Sequence, residues 1–442
     1  MDTKRNDTPH PESVWAKTAT PISFEPLSGN RRTDVLIIGG GMAGILCAHA
    51  LKTAGVDYLL VEADRIGRGI TQNTTAKITA QHGLLYHRLI VSFGEEKARL
   101  YWEANREALE AYRRLCATID CDFEEKDAFV YAMTDRRKIE KEAEAYRKLG
   151  IPGGPVCDLP LPFPTAGAVR MENQAQLHPL KFLYAIAKDL RIQEHTKVLE
   201  LKPQEAVTDR GRIRTKHILV TTHFPFINKH GGYFLKLYQH RSYVIALEGA
   251  EDPKGMYVDE DLKGLSFRTY GGLLLLGGGS HRTGKQGGDW KELSDFARRH
   301  YPHAREVARF ATQDCMTLDG IPYIGRYGKH TPNLFTATGF NKWGMTSSMV
   351  AAKILADLVQ GKDNRYASLF SPSRSVLHPQ LEVNAAESVL HLLTPTTPRC
   401  PHLGCALVYN KQEHSWDCPC HGSRFTEKGE LINNPATDDM KR

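Results

Sequence analysis

The amino-acid sequence predicts an α/β domain that contains an inserted α+β domain, followed by a small all-β domain at the C-terminal end. Three observations predict this organisation. A strand, a glycine-rich turn and a helix follow one another near residue 40, and a second strand, glycine loop and helix lie near residue 340. Two short loops rich in cysteine and histidine occupy residues 400–423. A chain of 442 residues has room for about three average domains.

The overall composition is typical of a soluble globular protein. Hydrophobic residues make up 41% and charged residues 25%, and the formal net charge is +7. No block of lysine and arginine is long enough to predict a nucleic-acid-binding arm, and no apolar run approaches the ~18 residues that a membrane helix needs. The polar first residues lack a signal-peptide core, and the cysteines outside residues 400–423 show no disulfide framework. We therefore expect a cytoplasmic protein with no nucleic-acid partner and no membrane span.

The first glycine-rich turn is typical of dinucleotide binding in a Rossmann-like unit. Asp34–Ile38 is an apolar, β-branched run, as in a buried parallel strand, and it leads directly into Gly39–Gly44. A helical stretch follows, and a second strand closes on Glu62. Here the glycines allow a tight turn and a close approach of the pyrophosphate to the helix N-terminus, while the carboxylate accepts hydrogen bonds from the adenosine ribose. The predicted cofactor contacts of this region are Gly39, Gly41, Met42, Ala43, Gly44, Glu62 and Arg65.

FAD and NAD share this glycine fingerprint, so the motifs at the C-terminal end of the α/β part are needed to distinguish the two cofactors. Residues 333–346 lead from a strand through a glycine-bearing loop into a helix that we predict from about Ser347 to Val359. Upstream, Met316–Gly325 reads M-T-L-D-G-I-P-Y-I-G. These motifs resemble those of the D-amino acid oxidase family of flavoproteins, which includes glycine and sarcosine oxidases. The resemblance covers roughly residues 30–365 and implies extended FAD, a substrate-covering sheet and oxidation of a C–N bond.

The resemblance also implies cofactor contacts between and beyond the two ends. Gly67–Lys77 takes the place of the family loop that passes the flavin, although a polar surface loop is nearly as good an interpretation. Val198 matches the strand whose backbone holds the adenine, and the N-terminus of the last helix can stabilise negative charge on the reduced flavin. The implied contacts are Thr71, Thr75, Val198, Thr222, Gly339, Asn341, Gly344, Met345 and Thr346.

Two positions depart from the family pattern. Sarcosine oxidases carry a lysine beside the flavin that helps oxygen accept electrons, and Leu275 stands at that place in this sequence. We expect oxygen to be a poor acceptor, because leucine cannot stabilise developing superoxide. Some family members attach FAD through a cysteine, and Thr312 stands at that place, with Cys315 nearer the motif. We therefore expect a non-covalent flavin.

The C-terminal loops are Cys400–Cys405 (C-P-H-L-G-C) and Cys418–Ser423 (C-P-C-H-G-S). Cysteine and histidine at this spacing suit a tetrahedral zinc site, but zinc gives no reason for the extra cysteine in each loop. Two thiolates suit one iron of a [2Fe–2S] cluster, and two imidazoles suit the other. The loops resemble the Rieske iron–sulfur domain. The resemblance implies the metal ligands Cys400, His402, Cys418 and His421, and a disulfide between Cys405 and Cys420.

The expected boundaries follow from these motifs. Charged and amphipathic stretches predict helices over Glu95–Cys116 and Arg136–Leu149. The FAD-binding parts are residues 30–90, 175–225 and 310–362, and the substrate domain comprises residues 91–174 and 226–309. The other units are a tail (1–29), a linker or shortened Rieske base (366–399) and the cluster-binding region (400–442).

The expected activity is that of a flavin-dependent amine or amino-acid dehydrogenase. FAD receives electrons from the small-molecule substrate, the cluster relays them, and an external one-electron carrier accepts them. Because the cofactor does the chemistry, we name no catalytic acid or base. The candidate substrate-binding residues are Arg241, Tyr243, Arg268 and His281, each of which is more often a surface or sheet residue.

Three other functions compete with this expectation. An NAD(P)H-linked reductase would need a second nucleotide site, and Gly277–Gly279 lacks the third glycine and the following helix, so we interpret it as a strand and turn of the substrate sheet. A flavin-dependent RNA-modifying enzyme would need a basic block that the chain lacks. A Rieske oxygenase would need two histidines and a carboxylate on iron, and His300 and His303 are a weak candidate pair.

Overall fold

A computed structural model describes residues 11–228, 230–395 and 398–440 of the chain. Its architecture consists of an eight-stranded sheet, a nine-stranded sheet and a C-terminal four-stranded sheet. Helices cover the first two sheets, and the third sheet lies against both of them. This arrangement agrees with the predicted fold class of an α/β domain, an inserted α+β domain and a small all-β domain.

The eight-stranded sheet carries the first glycine-rich turn. Val35–Ile38 are almost completely buried, as expected for parallel strands that are covered on both faces. From one edge to the other, the neighbouring strands are Tyr323–Arg326, Leu334–Thr338, Gly211–Val220, Arg31–Ile38, Tyr58–Val61 and Ile192–Gln193. A hairpin of two further strands, Val198–Lys202 and Glu205–Thr208, pairs with Gly211–Val220. The central pairs are parallel, so the carboxyl ends of these strands meet at one edge.

The nine-stranded sheet forms the opposite wall of the molecule. Its longest strands, Leu237–Glu248 and Arg305–Thr317, pair antiparallel along almost their whole length. The path is Arg305–Thr317, Leu237–Glu248, Leu273–Arg282, Ser266–Tyr270, Met256–Asp259, Glu124–Ala132, Gly167–Gln176 and Lys77–Ile78, with Gly153–Val156 paired to Gly167–Gln176. Leu273–Arg282 is therefore a sheet strand that continues into a turn, which confirms the interpretation of its glycines.

Both helices that were predicted from charge and amphipathic pattern have the predicted bounds, Glu95–Cys116 and Arg136–Leu149. The second helix begins where the Asp135 side chain accepts a hydrogen bond from the amide of Arg137, and it ends at Gly150 in the left-handed conformation. The other helices are Val14–Thr18, Met42–Thr53, Tyr86–Phe93, Pro179–Ala187, Tyr233–Lys236, Trp290–His300, Gly344–Val359, Ala367–Phe370 and Pro379–Leu393, with a 3₁₀ turn at Thr71–Asn73.

The described part of the segment that we interpreted as an N-terminal tail contains a short helix that packs on the rest of the protein. Val14–Thr18 is helical, and the Trp15 side chain is completely buried. Its indole N–H donates to the Thr74 carbonyl at 2.7 Å, and its ring lies 5.2 Å from the Arg268 guanidinium. A large apolar side chain buried in this way anchors the segment to the body of the protein.

The segment interpreted as a linker or shortened Rieske base also differs, because Pro379–Leu393 is a helix of 15 residues. Pro379 lies in the first turn of this helix, where the missing N–H would be unpaired in any case. Asn384 is the buried residue of this helix, and its amide donates to the Leu235 carbonyl at 3.1 Å. The remaining strands, which form the four-stranded sheet, are Val408–Asn410, Ser415–Asp417, Arg424–Thr426 and Leu431–Asn433.

Among the described residues, none of the helices is both long enough and apolar enough to cross a lipid bilayer.

Candidate cofactor sites

A cavity of about 570 Å³ lies between the eight-stranded sheet, the nine-stranded sheet and the C-terminal unit. It opens at the carboxyl ends of the parallel strands, which is where open α/β sheets bind ligands. Four predicted contacts lie outside its lining, namely Gly44, Arg65, Gly339 and Thr346. The predicted contacts that line it are Gly39, Gly41, Met42, Ala43, Glu62, Thr71, Thr75, Val198, Thr222, Asn341, Gly344 and Met345.

The first glycine-rich turn has the geometry that a phosphate site requires. Gly39 has a φ of +109°, and a Cβ atom at Gly44 would lie 1.9 Å from the Gly39 carbonyl oxygen, so both positions need glycine. Gly44 thus packs helix against strand rather than facing the cavity. A Cβ at Gly41 would meet only the Thr71 hydroxyl, at 3.4 Å, which leaves the N-terminus of the helix Met42–Thr53 open to the cavity.

Glu62 ends its strand next to this turn. Its carboxylate accepts hydrogen bonds from the amides of Gly40 at 2.6 Å and Asp64 at 2.9 Å. Burial raises the pKa of the Glu62 carboxyl, although these amides oppose the shift. Arg65 is exposed to solvent, whereas Arg68 lines the cavity. Lys197 also lines the cavity, and the cofactor contact of Arg65 stays a prediction.

The loop before the last long helix of the flavoprotein part forms the other end of the cavity. Asn341 adopts a φ of +51°, and its side chain fixes the loop by accepting from the Thr317 amide at 2.8 Å and donating to the Gly339 carbonyl at 2.7 Å. The helix Gly344–Val359 begins directly afterwards, with no side-chain cap. Its first amides are available to an anionic group in the cavity. Thr346 instead donates to the Thr79 carbonyl at 3.1 Å.

Lys342 is a cavity-lining cation of this loop that the sequence analysis did not single out. Its ammonium group lies 2.6 Å from the Ser280 hydroxyl and 3.1 Å from the Ser242 hydroxyl, and all three residues line the cavity. Burial lowers the pKa of Lys342, and the neighbouring Asp314 carboxylate opposes that shift. A lone lysine between Gly339 and Gly344 was the available sequence signal.

The two positions that depart from the family pattern have different surroundings. Leu275 packs in the apolar cluster of Val14 and Trp15 and does not line the cavity. Thr312 and Cys315 do line it, and burial raises the pKa of the Cys315 thiol to about 12. A thiol with so high a pKa is a poor nucleophile, which agrees with the prediction of a non-covalent flavin without testing it.

Arg241 and Arg268, two of the candidate substrate-binding residues, have other roles. Arg268 donates to the carbonyls of Thr75 and Ala76, the latter at 3.0 Å, and does not line the cavity. Arg241 forms a salt bridge with Glu413 of the C-terminal unit. Both side chains are therefore engaged within the protein, which agrees with the interpretation of each as a sheet residue rather than a substrate-binding residue.

Tyr243 and His281 lie near the same interface. Tyr243 lines the cavity, but its hydroxyl donates to the Glu413 carboxylate at 3.0 Å. The His281 ring is 3.0 Å from the Gly279 carbonyl through Nδ1 and stacks on Tyr243 at 5.8 Å. The hydroxyl and the ring nitrogen thus have partners within the protein.

The two C-terminal loops bring the predicted metal ligands together. The Cys400 and Cys418 side chains are both buried, and the His402 and His421 ring centroids are 4.9 Å apart. Cys405 and Cys420 form a disulfide, as the resemblance implied. The sulfur atoms of Cys405, Cys418 and Cys420 and a ring nitrogen of His421 all lie within 4.8 Å of one another. The disulfide removes the sulfurs of Cys405 and Cys420 as ligands, which leaves Cys418 and His421 of this group, and both belong to the ligand set that the resemblance implies.

The histidines have the chemistry that iron ligation requires. Nδ1 of His402 and both ring nitrogens of His421 are buried and have no hydrogen-bond partner among the described residues. Nε2 of His402 is 2.8 Å from the Asn228 side-chain oxygen, which directs Nδ1 toward the other ligands. Burial lowers the pKa of His402 to about 4 and also lowers the pKa of His421, and neutral imidazole is the ligating form. The residues present therefore fit a cluster with mixed cysteine and histidine ligands.

Buried amides attach the second cluster loop to the nine-stranded sheet. Gln239 donates to the His421 carbonyl and Gln313 to the Gly422 carbonyl, both at 2.8 Å. A Cβ at Gly422 would lie 2.7 Å from the Gln239 side chain, so glycine permits this approach. Arg282 donates to the carbonyls of Pro419 and Cys420, each at 3.2 Å. The loop thus rests directly on strands whose neighbouring residues line the cavity.

The C-terminal unit also forms part of the cavity wall. The Asn434 amide donates to the carbonyls of Thr222 and Phe224, both at 2.6 Å. Residues from two stretches line the cavity, residues 431–434 and residues 436–437. The unit that holds the cysteine and histidine loops therefore closes the site formed by the glycine-rich turns.

Comparison with known proteins gives two family matches. Residues 34–358 match the FAD dependent oxidoreductase family (DAO), and residues 390–442 match the Rieske [2Fe-2S] domain. The Rieske 2Fe-2S iron-sulfur protein YhfW of Bacillus subtilis (strain 168) is 38% identical over 98% of this chain and 97% of its own length. Gamma-glutamylputrescine oxidoreductase of Escherichia coli (strain K12) is 24% identical over 81% of this chain and 91% of its own length. The crystal structure of glycine oxidase from Geobacillus kaustophilus superposes with a TM-score of 0.65 at 20% identity, covering 78% of this chain and all of that one.

Proposed function

The chain belongs to the FAD-dependent oxidoreductase family typified by D-amino acid oxidase and carries a C-terminal Rieske [2Fe–2S] domain, and from this premise we propose its reaction. We propose that it oxidises a carbon–nitrogen bond of an amine or amino acid and passes the electrons singly from FAD to the cluster. An external one-electron carrier then receives them. The protein acts as a dehydrogenase rather than an oxidase.

Family membership assigns the cofactors, so the zinc alternative for the C-terminal loops was wrong. When bound, FAD supplies two-electron oxidation of the substrate, and the cluster supplies one-electron transfer. Gly41 and the N-terminus of Met42–Thr53 would hold the pyrophosphate, and Gly344–Met345 would face the flavin ring. Cys400 and Cys418 would bind one iron, and His402 and His421 the other.

One observation carries the proposal, namely that the Rieske unit forms a wall of the FAD cavity. Residues 431–434 and 436–437 line the cavity together with the glycine-rich turn. His421 is held through its carbonyl by Gln239, which lies three residues before the cavity-lining Ser242 on the same strand. The Rieske unit therefore forms part of the compartment that would hold FAD, which supports direct transfer between the two cofactors.

Lys342 supplies positive charge to this compartment. Its ammonium group is oriented by the hydroxyls of Ser242 and Ser280, and Lys77 is a second buried lysine that lines the cavity. Burial, with repulsion from Arg268, lowers the pKa of Lys77 to about 7. In our proposal Lys342 orients a substrate carboxylate toward the flavin, replacing the two arginines whose side chains are engaged elsewhere.

The names of similar proteins support the substrate class. One relative is an oxidoreductase of gamma-glutamylputrescine, and one protein of the same fold is a glycine oxidase. Both names describe compounds in which a nitrogen atom is bonded to a carbon that bears hydrogen. We therefore place the substrate among amines and amino acids.

The test is anaerobic reduction of the holoenzyme by a panel of amines and amino acids. Flavin absorbance reports the first transfer, and the EPR signal of the reduced cluster reports the second. A substrate that bleaches the flavin and also produces the cluster signal supports the proposal. Bleaching with a cluster that stays EPR-silent, or stoichiometric release of peroxide in air, would contradict it.

A further inference from the structure

Two cysteines outside the cofactor sites lie close together at the surface of the flavoprotein part. Cys116 is the last residue of the helix Glu95–Cys116, and Cys121 lies just before the strand Glu124–Ala132. Their sulfur atoms are 3.5 Å apart. The Cys116 side chain is half-buried, whereas Cys121 is 1% exposed.

The pair is reduced in this structure but is close to bonding distance. Disulfide sulfurs lie about 2.05 Å apart, so the two atoms need to approach by about 1.5 Å. The residues between them, 117–120, form a short surface turn that is exposed at three of four positions. Neither sulfur belongs to the cluster loops, and the known Cys405–Cys420 disulfide is elsewhere in the chain.

The geometry points to a second disulfide site in this chain, formed by Cys116 and Cys121, whose oxidant is a low-molecular-weight disulfide of the glutathione class. The site goes beyond the proposed function, because it lies outside the FAD cavity and the Rieske loops. Its accessible partner is Cys116, and its resolving partner is the buried Cys121.

The reaction proceeds in two exchanges. The Cys116 thiolate attacks one sulfur of the oxidant and forms a mixed disulfide with it. The sulfur–sulfur bond of the oxidant breaks, and the thiolate that leaves takes up the proton lost by Cys116. Cys121 then loses its proton, attacks the Cys116 sulfur and expels the second thiol. Two protein thiols are oxidised, and one oxidant disulfide is reduced to two thiols.

The bond would join the end of a helix to the start of a sheet strand. One turn before Cys116, the Tyr112 hydroxyl donates to the Met345 carbonyl at 3.0 Å, in the first turn of the helix that borders the FAD cavity. One residue after Cys121, Asp122 accepts from Lys181 at 2.9 Å. Oxidation would therefore tie together two segments that already have fixed contacts on either side.

Trypsin makes the test direct, because cleavage after Arg114 and Lys126 releases both cysteines on one peptide, Leu115–Lys126. The full-length holoenzyme is equilibrated with oxidised glutathione, denatured in the presence of iodoacetamide and digested. We expect the peptide to be two hydrogen atoms lighter than its reduced form and free of alkylation. After dithiothreitol, both thiols should be alkylated.

The controls separate pair formation from general thiol oxidation. Cys157 is exposed and should yield a mixed disulfide with glutathione under the same conditions. In Cys121→Ser the adduct on Cys116 should persist, because no resolving thiol remains, and flavin absorbance checks that this variant is folded. The wild-type protein alone can overturn the proposal. It does so if the oxidised peptide keeps a glutathione adduct, or if both of its cysteines are alkylated after oxidation.

Discussion

Replacing Glu413 by glutamine should loosen the Rieske unit from the flavoprotein body. The carboxylate is 9% exposed and receives hydrogen bonds from Arg241 of the nine-stranded sheet and Arg424 of its own unit. Tyr243 is a third donor, with its hydroxyl 3.0 Å from the carboxylate. Because glutamine carries no charge, the substitution leaves two buried guanidinium groups without their shared counter-ion.

The magnitude follows from the shifted ionisation of Glu413. Burial alone would raise its pKa, but the two guanidinium groups outweigh that effect and lower the pKa from 4.5 to about 2. At 1.36 kcal/mol per unit, this shift corresponds to about 3 kcal/mol of stability. Since the folded-state pKa is the lower one, the contribution is complete above pH 4.5 and is lost as the pH falls through about 2. At pH 7 the variant should lose about 3 kcal/mol, within the range seen for broken buried ion pairs.

Urea unfolding at pH 7, followed by the visible absorbance of the cluster, measures this loss. The matched control is Glu427→Gln, because Glu427 lies in the same unit, bonds Tyr409 and His414 and is fully exposed. Its midpoint should equal that of the wild type. If Glu413→Gln unfolds at the same urea concentration as Glu427→Gln, the ion pair does not hold the unit in place.

Three further predictions concern the cofactor sites. Gly44→Ala places a Cβ 1.9 Å from the Gly39 carbonyl oxygen, so the purified protein should lose most of its flavin, measured by absorbance. Removing the disulfide with Cys405→Ser and Cys420→Ser opens a loop with a sequence separation of 15, which should cost about 3 kcal/mol in unfolding under oxidising conditions. Arg282→Gln removes a half-buried cation that donates to carbonyls of the second cluster loop, so the reduction potential of the cluster should fall in an EPR-monitored titration.

Matched substitutions decide whether these effects are specific. Ala50→Gly lowers the propensity of the same helix by about 1 kcal/mol without a clash, so flavin content should not change. Lys285→Gln removes a nearby cation that already pairs with Glu387, so the potential should move less than in Arg282→Gln. Equal effects in a variant and its control would show that general destabilisation, or general loss of charge, explains the result.

The parts of the fold that could be predicted from sequence are those encoded over short distances. The turn Gly39–Gly44 carries its constraint within six residues, because the Gly44 position is crowded by Gly39 itself. The helices Glu95–Cys116 and Arg136–Leu149 have repeating patterns over several turns, and their bounds were predicted without error. The cysteine and histidine loops are also local, so the ligand set and the disulfide could be inferred together.

The candidate residues whose roles the sequence left open have partners that are remote in sequence. Arg241 pairs with a carboxylate 172 residues away, and Arg268 bonds carbonyls 192 and 193 residues away. A charged residue in a predicted substrate domain is ambiguous until such partners are known. Leu275 stands at the place of the family lysine, but it packs in the apolar cluster of Val14 and Trp15, which lie far away in the sequence.

The contacts that attach the Rieske unit also restrict where an electron carrier can approach it. Gln239 and Gln313 cover the second loop from the side of the cavity, and His421 is only 2% exposed. An external protein therefore cannot reach the cluster through that histidine without displacing these bonds. In the first loop, Leu403 is 39% exposed, next to the His402 ligand. If electrons enter from the flavin side, they must leave through this first loop, so Leu403→Glu should slow transfer to a protein carrier while substrate still bleaches the flavin. Equal rates with a small soluble acceptor would confirm that the substitution impairs docking rather than the cluster.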